Sequence, residues 1–236
     1  MGGTFSGTAT TGDITDSGAL AITGAATFIT GATGSNIILD HASNAFSSSV
    51  EMKADSGGNE AFGNITFVDS AAVDLDSSAS ANGDLYINAS TDGAVGGNLS
   101  VTATTESITQ NTALTITGWT TLVTSADNAT ITLNNTGNAF TRALLITTND
   151  SSGTDADVTI DGGTTALNIG TSTVDGDLTV TSGNVSGITV SGTVTVGGNL
   201  VATTDANSGV IDLGTMAVTG TVTLTTNGSG NATLDN

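Results

Sequence analysis

The sequence repeats itself, and the repeat limits what the chain can become. Residues 2–52 slide forward by 94 positions onto residues 96–146 without a gap, and 22 of the 51 aligned positions are identical. Gly2-Gly3 falls on Gly96-Gly97, and Thr8-Ala9-Thr10-Thr11 on Thr102-Ala103-Thr104-Thr105. Ile22-Thr23-Gly24 falls on Ile116-Thr117-Gly118, and Asn44-Ala45-Phe46 on Asn138-Ala139-Phe140. The first full copy runs over 2–95 and the second over 96–187, and a partial copy follows over 197–236. No linker separates them, so the reading is one continuous unit over 1–236.

Within the copies, apolar residues alternate. Ile37 and Leu39, Val50 and Met52, Ile65 and Phe67, Leu99 and Val101, Ile131 and Leu133, and Leu178 and Val180 each lie two apart. This is the period of a strand with one buried face. Threonine fills most positions between them, and its β-branch suits extended backbone. Corners fall where Gly, Asn, Asp and Ser cluster, as in Thr11-Gly12-Asp13, Ser56-Gly57-Gly58-Asn59, Asn82-Gly83-Asp84 and Asp175-Gly176-Asp177. The chain has no proline, which leaves every backbone N–H free to join a ladder.

Two architectures fit strands, corners and repeats. Tandem β-sandwich domains need a closed core per copy and usually carry large aromatic landmarks. This chain has one Trp and one Tyr. A β-solenoid needs small aliphatic side chains and turn residues, and the 37% hydrophobic content supplies the former. The expected fold is all-β, a parallel β-helix of about 12 coils of roughly 20 residues each, forming a rod roughly 55–60 Å long. One such coil buries too little to stand alone, so stacking must stabilise the whole.

The charge balance excludes several functions. There are 22 acidic and 2 basic residues, giving a net charge of -20. Lys53 and Arg142 alone cannot neutralise a phosphate backbone, which excludes nucleic acid and, on the same ground, anionic membrane surfaces. No run of about 20 apolar residues spans a membrane. Cysteine is absent, so no disulfide or thiolate metal site forms. No secretory signal follows Met1, and Gly2-Gly3 is already in phase with the repeat. This reads as a segment cut from a longer chain, with Met1 an added start.

GGNLSVTATTESITQNTALTITGWTTL, then NATITLNNTGNAF, and later TSTVDGDLTVTSG, resemble the repeats of filamentous-haemagglutinin-like surface proteins of bacteria. The resemblance covers nearly the whole chain. It implies a right-handed parallel β-helix projecting from a cell surface, secreted by a two-partner or autotransporter route. It also implies a fibrous, adhesive role with no catalytic residues.

The residues that chemistry would need are sparse. The only histidine, His41, has Asn135 as its counterpart in the second copy, so the repeat does not require it. It is read as a corner or surface residue, and the chain as non-enzymatic. Asp74/Asp76, Asp155/Asp157 and Asp175/Asp177 each share a strand face, but the aromatic platforms that a sugar-cleaving groove uses are missing. Calcium is the one metal the composition suggests. Asp150, Asp155, Asp157 and Asp161 crowd one loop, and 55–60 form another acidic, Gly-rich loop, without EF-hand or nonapeptide spacing. Paired threonines, as in Thr193/Thr195 and Thr221/Thr223, raise a flat ice-binding face, which requires pairs in register from coil to coil. Phe46 and Phe140 are expected as core plugs. Trp119 is either a gap-filler or an exposed contact. The expected function is structural and adhesive, at an extracellular bacterial surface, with copies or neighbouring repeats as head-to-tail partners and a host or neighbouring cell as the surface contacted. The alternative is a module binding glycan, calcium or ice on a flat face.

Overall fold

The computed structural model describes residues 1–54, 63–76, 84–87, 94–149, 151 and 155–234. Among them every regular element is a strand, and every pair of strands is parallel. The chain winds as a β-solenoid of about nine turns. An 11-stranded sheet (sheet I) and a 13-stranded sheet (sheet II) form its two broad walls. Two small sheets complete the circumference. One pairs Ala21–Ile22 with Ala45–Phe46, and the other joins Ala94–Val95, Thr115–Ile116 and Ala139–Phe140.

The turns are fewer than the twelve expected because most are longer than 20 residues. Hydrogen bonds between equivalent corner residues span 23, 28, 34 and 21 positions in the first half, and 20, 22 and 22 in the second. The longest of these turns, from Asn64 to Asn98, includes the additional strand Asp84–Ile87, and at about 4.8 Å per turn the rod is about 40 Å long.

The 94-residue repeat covers a half-integral number of turns. Ala26–Thr30 lies in sheet I, and its counterpart Thr120–Thr124 lies in sheet II. Ile37–Leu39 lies in sheet II, and its counterpart Ile131–Leu133 in sheet I. Ala45–Phe46 and Ala139–Phe140 fall in the two different small sheets. The exchange coincides with Asp84–Ile87, which sits in sheet I between Val50–Ala54 and Val73–Asp76, out of chain order. Both walls accept either copy because each presents the same alternation of inward aliphatic and outward polar positions.

Inward residues make one continuous core. Ile37, Leu39, Ile65, Leu99, Ile131 and Leu178 are all fully buried. The aromatic residues are distributed unevenly. Phe5, Phe28, Phe46 and Phe67 run as a file of rings down the first turns, with centroids 5.2, 6.3 and 5.1 Å apart. Tilted and edge-on contacts of this kind add to the area they bury. Phe140, the counterpart of Phe46 in the second copy, is buried as well.

Candidate functional site

A solenoid offers three kinds of site: its corners, its outer walls and its end faces. Most corners are built from glycine followed by a hydrogen-bonding residue, with Ser35 and Ala156 in the glycine's place before Asn36 and Asp157. Asn36 N–H donates to the Asp13 carboxylate (2.7 Å), Asn64 N–H to the Asn36 amide oxygen (2.8 Å), Asn98 N–H to Asn64 (2.9 Å) and Trp119 N–H to Asn98 (2.9 Å). A second ladder runs from Asp157 to the N–H of Asp177 (2.7 Å), from Asp177 to Asn199 (2.6 Å) and from Asn199 to Thr221 (2.9 Å). Each side chain satisfies the exposed backbone donor of the next turn, where no strand partner is available. The preceding glycines touch backbone. A Cβ on Gly97 lies 2.2 Å from the Gly63 carbonyl oxygen, and one on Gly118 lies 2.2 Å from that of Gly97.

Buried polar side chains close the inside of the corners. Thr30, Thr124 and Thr204 each donate a hydroxyl to the carbonyl five residues on, at 3.2, 3.1 and 3.2 Å. Asn44 and Asn138, counterparts in the two copies, are 0% and 1% exposed. Their side chains receive the N–H of Leu20 and of Leu114, at 2.8 and 2.9 Å.

The described residues singled out by composition lie in corners and along strands rather than around a cleft. His41 is exposed in a turn. Its Nδ1 accepts the Ser43 N–H at 3.1 Å, and its own N–H donates to Asp16 at 3.3 Å. Asp157 and Asp177 are rungs of the second ladder. Asp74 accepts the Thr109 hydroxyl at 3.2 Å, and the buried Asp76 accepts that of Thr112. Of the calcium candidates, Asp150 lies outside the described residues, as does the loop 55–60. Asp155 is exposed beside the ladder. Asp161 stands on the outer wall, where its carboxylate takes the Gly163 N–H at 2.7 Å, and burial raises its pKa, with the charge of Asp205 adding to the rise. Among the described residues, no three His, Asp or Glu side chains gather to hold a metal. Trp119 is 49% exposed at the top of the first ladder, an exposed contact rather than a gap-filler. Thr221 ends a ladder and Thr193 precedes its strand, so neither proposed threonine pair forms a grid.

One buried carboxyl was not legible in the sequence. Asp69 ends the strand Ile65–Asp69 and is 4% exposed. Burial pushes its pKa up to about 6, against the opposing hydrogen bonds from the N–H groups of Phe46, Ser70 and Ala71. The folded state therefore holds this proton more tightly than the unfolded state. Stability from this group is fully present below about pH 4 and is lost as pH rises through about 6. Asp69→Asn keeps an acceptor for these N–H groups and carries no charge. It is expected to raise stability at pH 7 by about 1 kcal/mol, after allowance for screening at its wet edge, with the gain vanishing below about pH 4. Thermal midpoints across pH 3.5–7.5 check this.

At the two ends the core lies open. A cleft of about 250 Å³ at the first turn is lined by Phe5, Ile14, Leu20, Phe28 and Leu39. One of about 240 Å³ at the last turn is lined by Leu213, Met216, Val218, Val222 and Leu234.

These features define a β-solenoid repeat protein whose polar side chains hold turns together. The chain belongs to the family described as repeats of unknown function (DUF5649), whose model matches residues 1–53, 82–147 and 155–214. No curated protein and no solved structure matches it. Among the described residues, no helix is long and apolar enough to cross a membrane.

Proposed function

We propose that the chain is a non-enzymatic structural segment of a bacterial extracellular surface or fibre protein, a stiff spacer that stacks head-to-tail and presents a repetitive adhesive surface. The observation that carries this reading is the continuous parallel ladder of sheet I, from Phe5–Ala9 to Val222–Asn227, with a strand edge at each end that is unpaired among the described residues. Phe5 to Ile14 and Val222 to Ala232 are equivalent wall-to-wall steps of similar length, and an apolar cleft lies behind each. Open edges of this kind accept a further turn from a neighbouring repeat or a second copy. The engagement of His41, Asp74, Asp76, Asp157 and Asp177 in hydrogen bonds within and between turns supports a structural rather than a catalytic role. The resemblance to filamentous haemagglutinin repeats supports the surface location.

The high negative charge opposes stacking at low ionic strength and is screened in salt. Purified protein is therefore expected to sediment as a single rod at low salt and to form end-to-end filaments at physiological salt, seen by negative-stain microscopy. Ser6→Pro removes a ladder donor at the first edge and is expected to shorten the filaments. Single rods at every salt concentration would overturn the stacking.

A further inference from the structure

The outer wall of sheet I carries a feature that the proposed role does not use. On the last turns, strand register brings threonines together that lie far apart in the sequence. Thr159, Thr179 and Thr223 fall in one column, with Val201 between the last two. Thr181, Thr203 and Thr225 fall in the column beside it, on consecutive turns. Along a strand the two columns stand about 6.6 Å apart, and successive turns lie about 4.8 Å apart. The result is a regular grid of hydroxyl and methyl groups. Val201 keeps the shape of threonine and interrupts only the hydroxyl pattern.

Three further observations bear on what this grid contacts. None of the six hydroxyls takes a protein hydrogen bond among the described residues, so all are available outward. The β-branch fixes χ1, so the groups are held in place rather than sweeping through solvent. The outward wall positions over Leu178–Ser182, Leu200–Thr203 and Val222–Thr225 carry no charge in a chain with 22 acidic residues, and Asp161 and the exposed Asp205, two residues beyond Thr203, mark the borders of the grid. Sugar recognition would want a ring or a carboxylate here, nucleic acid a cation, and a protein partner a large apolar anchor. The grid has none of these. It does have two regular spacings at right angles, as a surface that orders water in two dimensions requires.

We propose that this wall binds ice. The threonine hydroxyls and methyls order water in two dimensions at spacings that the crystal continues, and adsorption then blocks growth of that face.

The test is thermal hysteresis and inhibition of ice recrystallisation by the full chain. The wild type is expected to show both. Thr203→Lys puts a long, hydrated charge at the centre of the grid and is expected to abolish both while leaving the circular dichroism spectrum and the thermal midpoint unchanged. Thr121→Lys, on the opposite wall, is expected to retain both in full. Val201→Thr completes the first column without changing volume and is expected to widen the hysteresis gap. Absence of both effects in the wild type overturns the proposal. So does retention of both by Thr203→Lys, or their loss in a folded Thr121→Lys.

Discussion

Gly97→Ala is expected to lower stability by about 3 kcal/mol or more, through the addition of a single methyl group. The backbone at Gly97 is ordinary, so an alanine there meets no dihedral penalty. What it meets is the turn beneath. Its Cβ falls 2.2 Å from the Gly63 carbonyl oxygen, 2.7 Å from the carbonyl carbon and 3.1 Å from the Asn64 nitrogen. All three are backbone atoms of a ladder and cannot rotate away. The turns must separate, and the bond from Asn98 N–H to Asn64 lies at the same corner. Gly118 rests on Gly97 in the same way, so the strain passes to a third turn. Reduced freedom of the unfolded chain favours alanine by only about 0.4–1 kcal/mol, too little to offset the clash. Gly18 serves as the control. Nothing lies within 4 Å of a Cβ there, and Gly18→Ala is expected to change stability by less than about 0.5 kcal/mol. Urea midpoints at constant m-value decide between the two. Equal midpoints for Gly97→Ala and the wild type would mean that the turns do not pack through glycine.

Alternation made the strands legible. Ile37 and Leu39, Ile131 and Leu133, and Leu178 and Val180 were placed inside by their spacing alone, and all are buried. The repeat also showed that Asn44-Ala45-Phe46 matters, since it recurs intact where the flanking residues do not. What alternation cannot express is the length of a turn. Corner loops carry no period, so turns of 21 and 34 residues read alike, and the estimate of the number of layers was too high. Register was hidden for the same reason. Thr181, Thr203 and Thr225 meet only once the lengths of two intervening corners are known, whereas Thr221 and Thr223 look like a pair and are divided between a corner and a wall. The exchange of walls between copies was invisible because both walls ask for the same pattern. The pKa of Asp69 depends on burial at a strand end, and the sequence Val68-Asp69-Ser70 reads as an ordinary turn entry.

Asn138→Ala is expected to be comparably damaging, about 3 kcal/mol or more, through loss of bonds rather than addition of volume. This amide sits inside the solenoid, 1% exposed, and links three successive turns. Its oxygen accepts the Leu114 N–H from one neighbouring turn, at 2.9 Å, and the Gln110 side-chain amide. Its NH₂ group donates to the Leu133 carbonyl in its own turn (3.3 Å), to the Gln110 Oε1 (3.0 Å) and to the Asp161 carbonyl in the other neighbouring turn (2.9 Å). Truncation leaves the Leu114 N–H and the Asp161 carbonyl without this partner, and the desolvation of each then counts in full. Leucine fills the volume and restores none of these bonds, so Asn138→Leu is expected to recover little. Asn138→Asp keeps the acceptor, loses both donors and places a charge in the core, and is expected to fall lower still at neutral pH. The counterpart Asn44 accepts from Leu20 N–H and donates to the Asp16 carboxylate, a half-buried group whose open side water can still serve. Asn44→Ala is therefore expected to cost clearly less than Asn138→Ala, although the two positions share one sequence context. Thermal unfolding of the four variants tests the order. Equal losses at 44 and 138 would mean that the motif contributes through its local turn and not through the links it makes between turns.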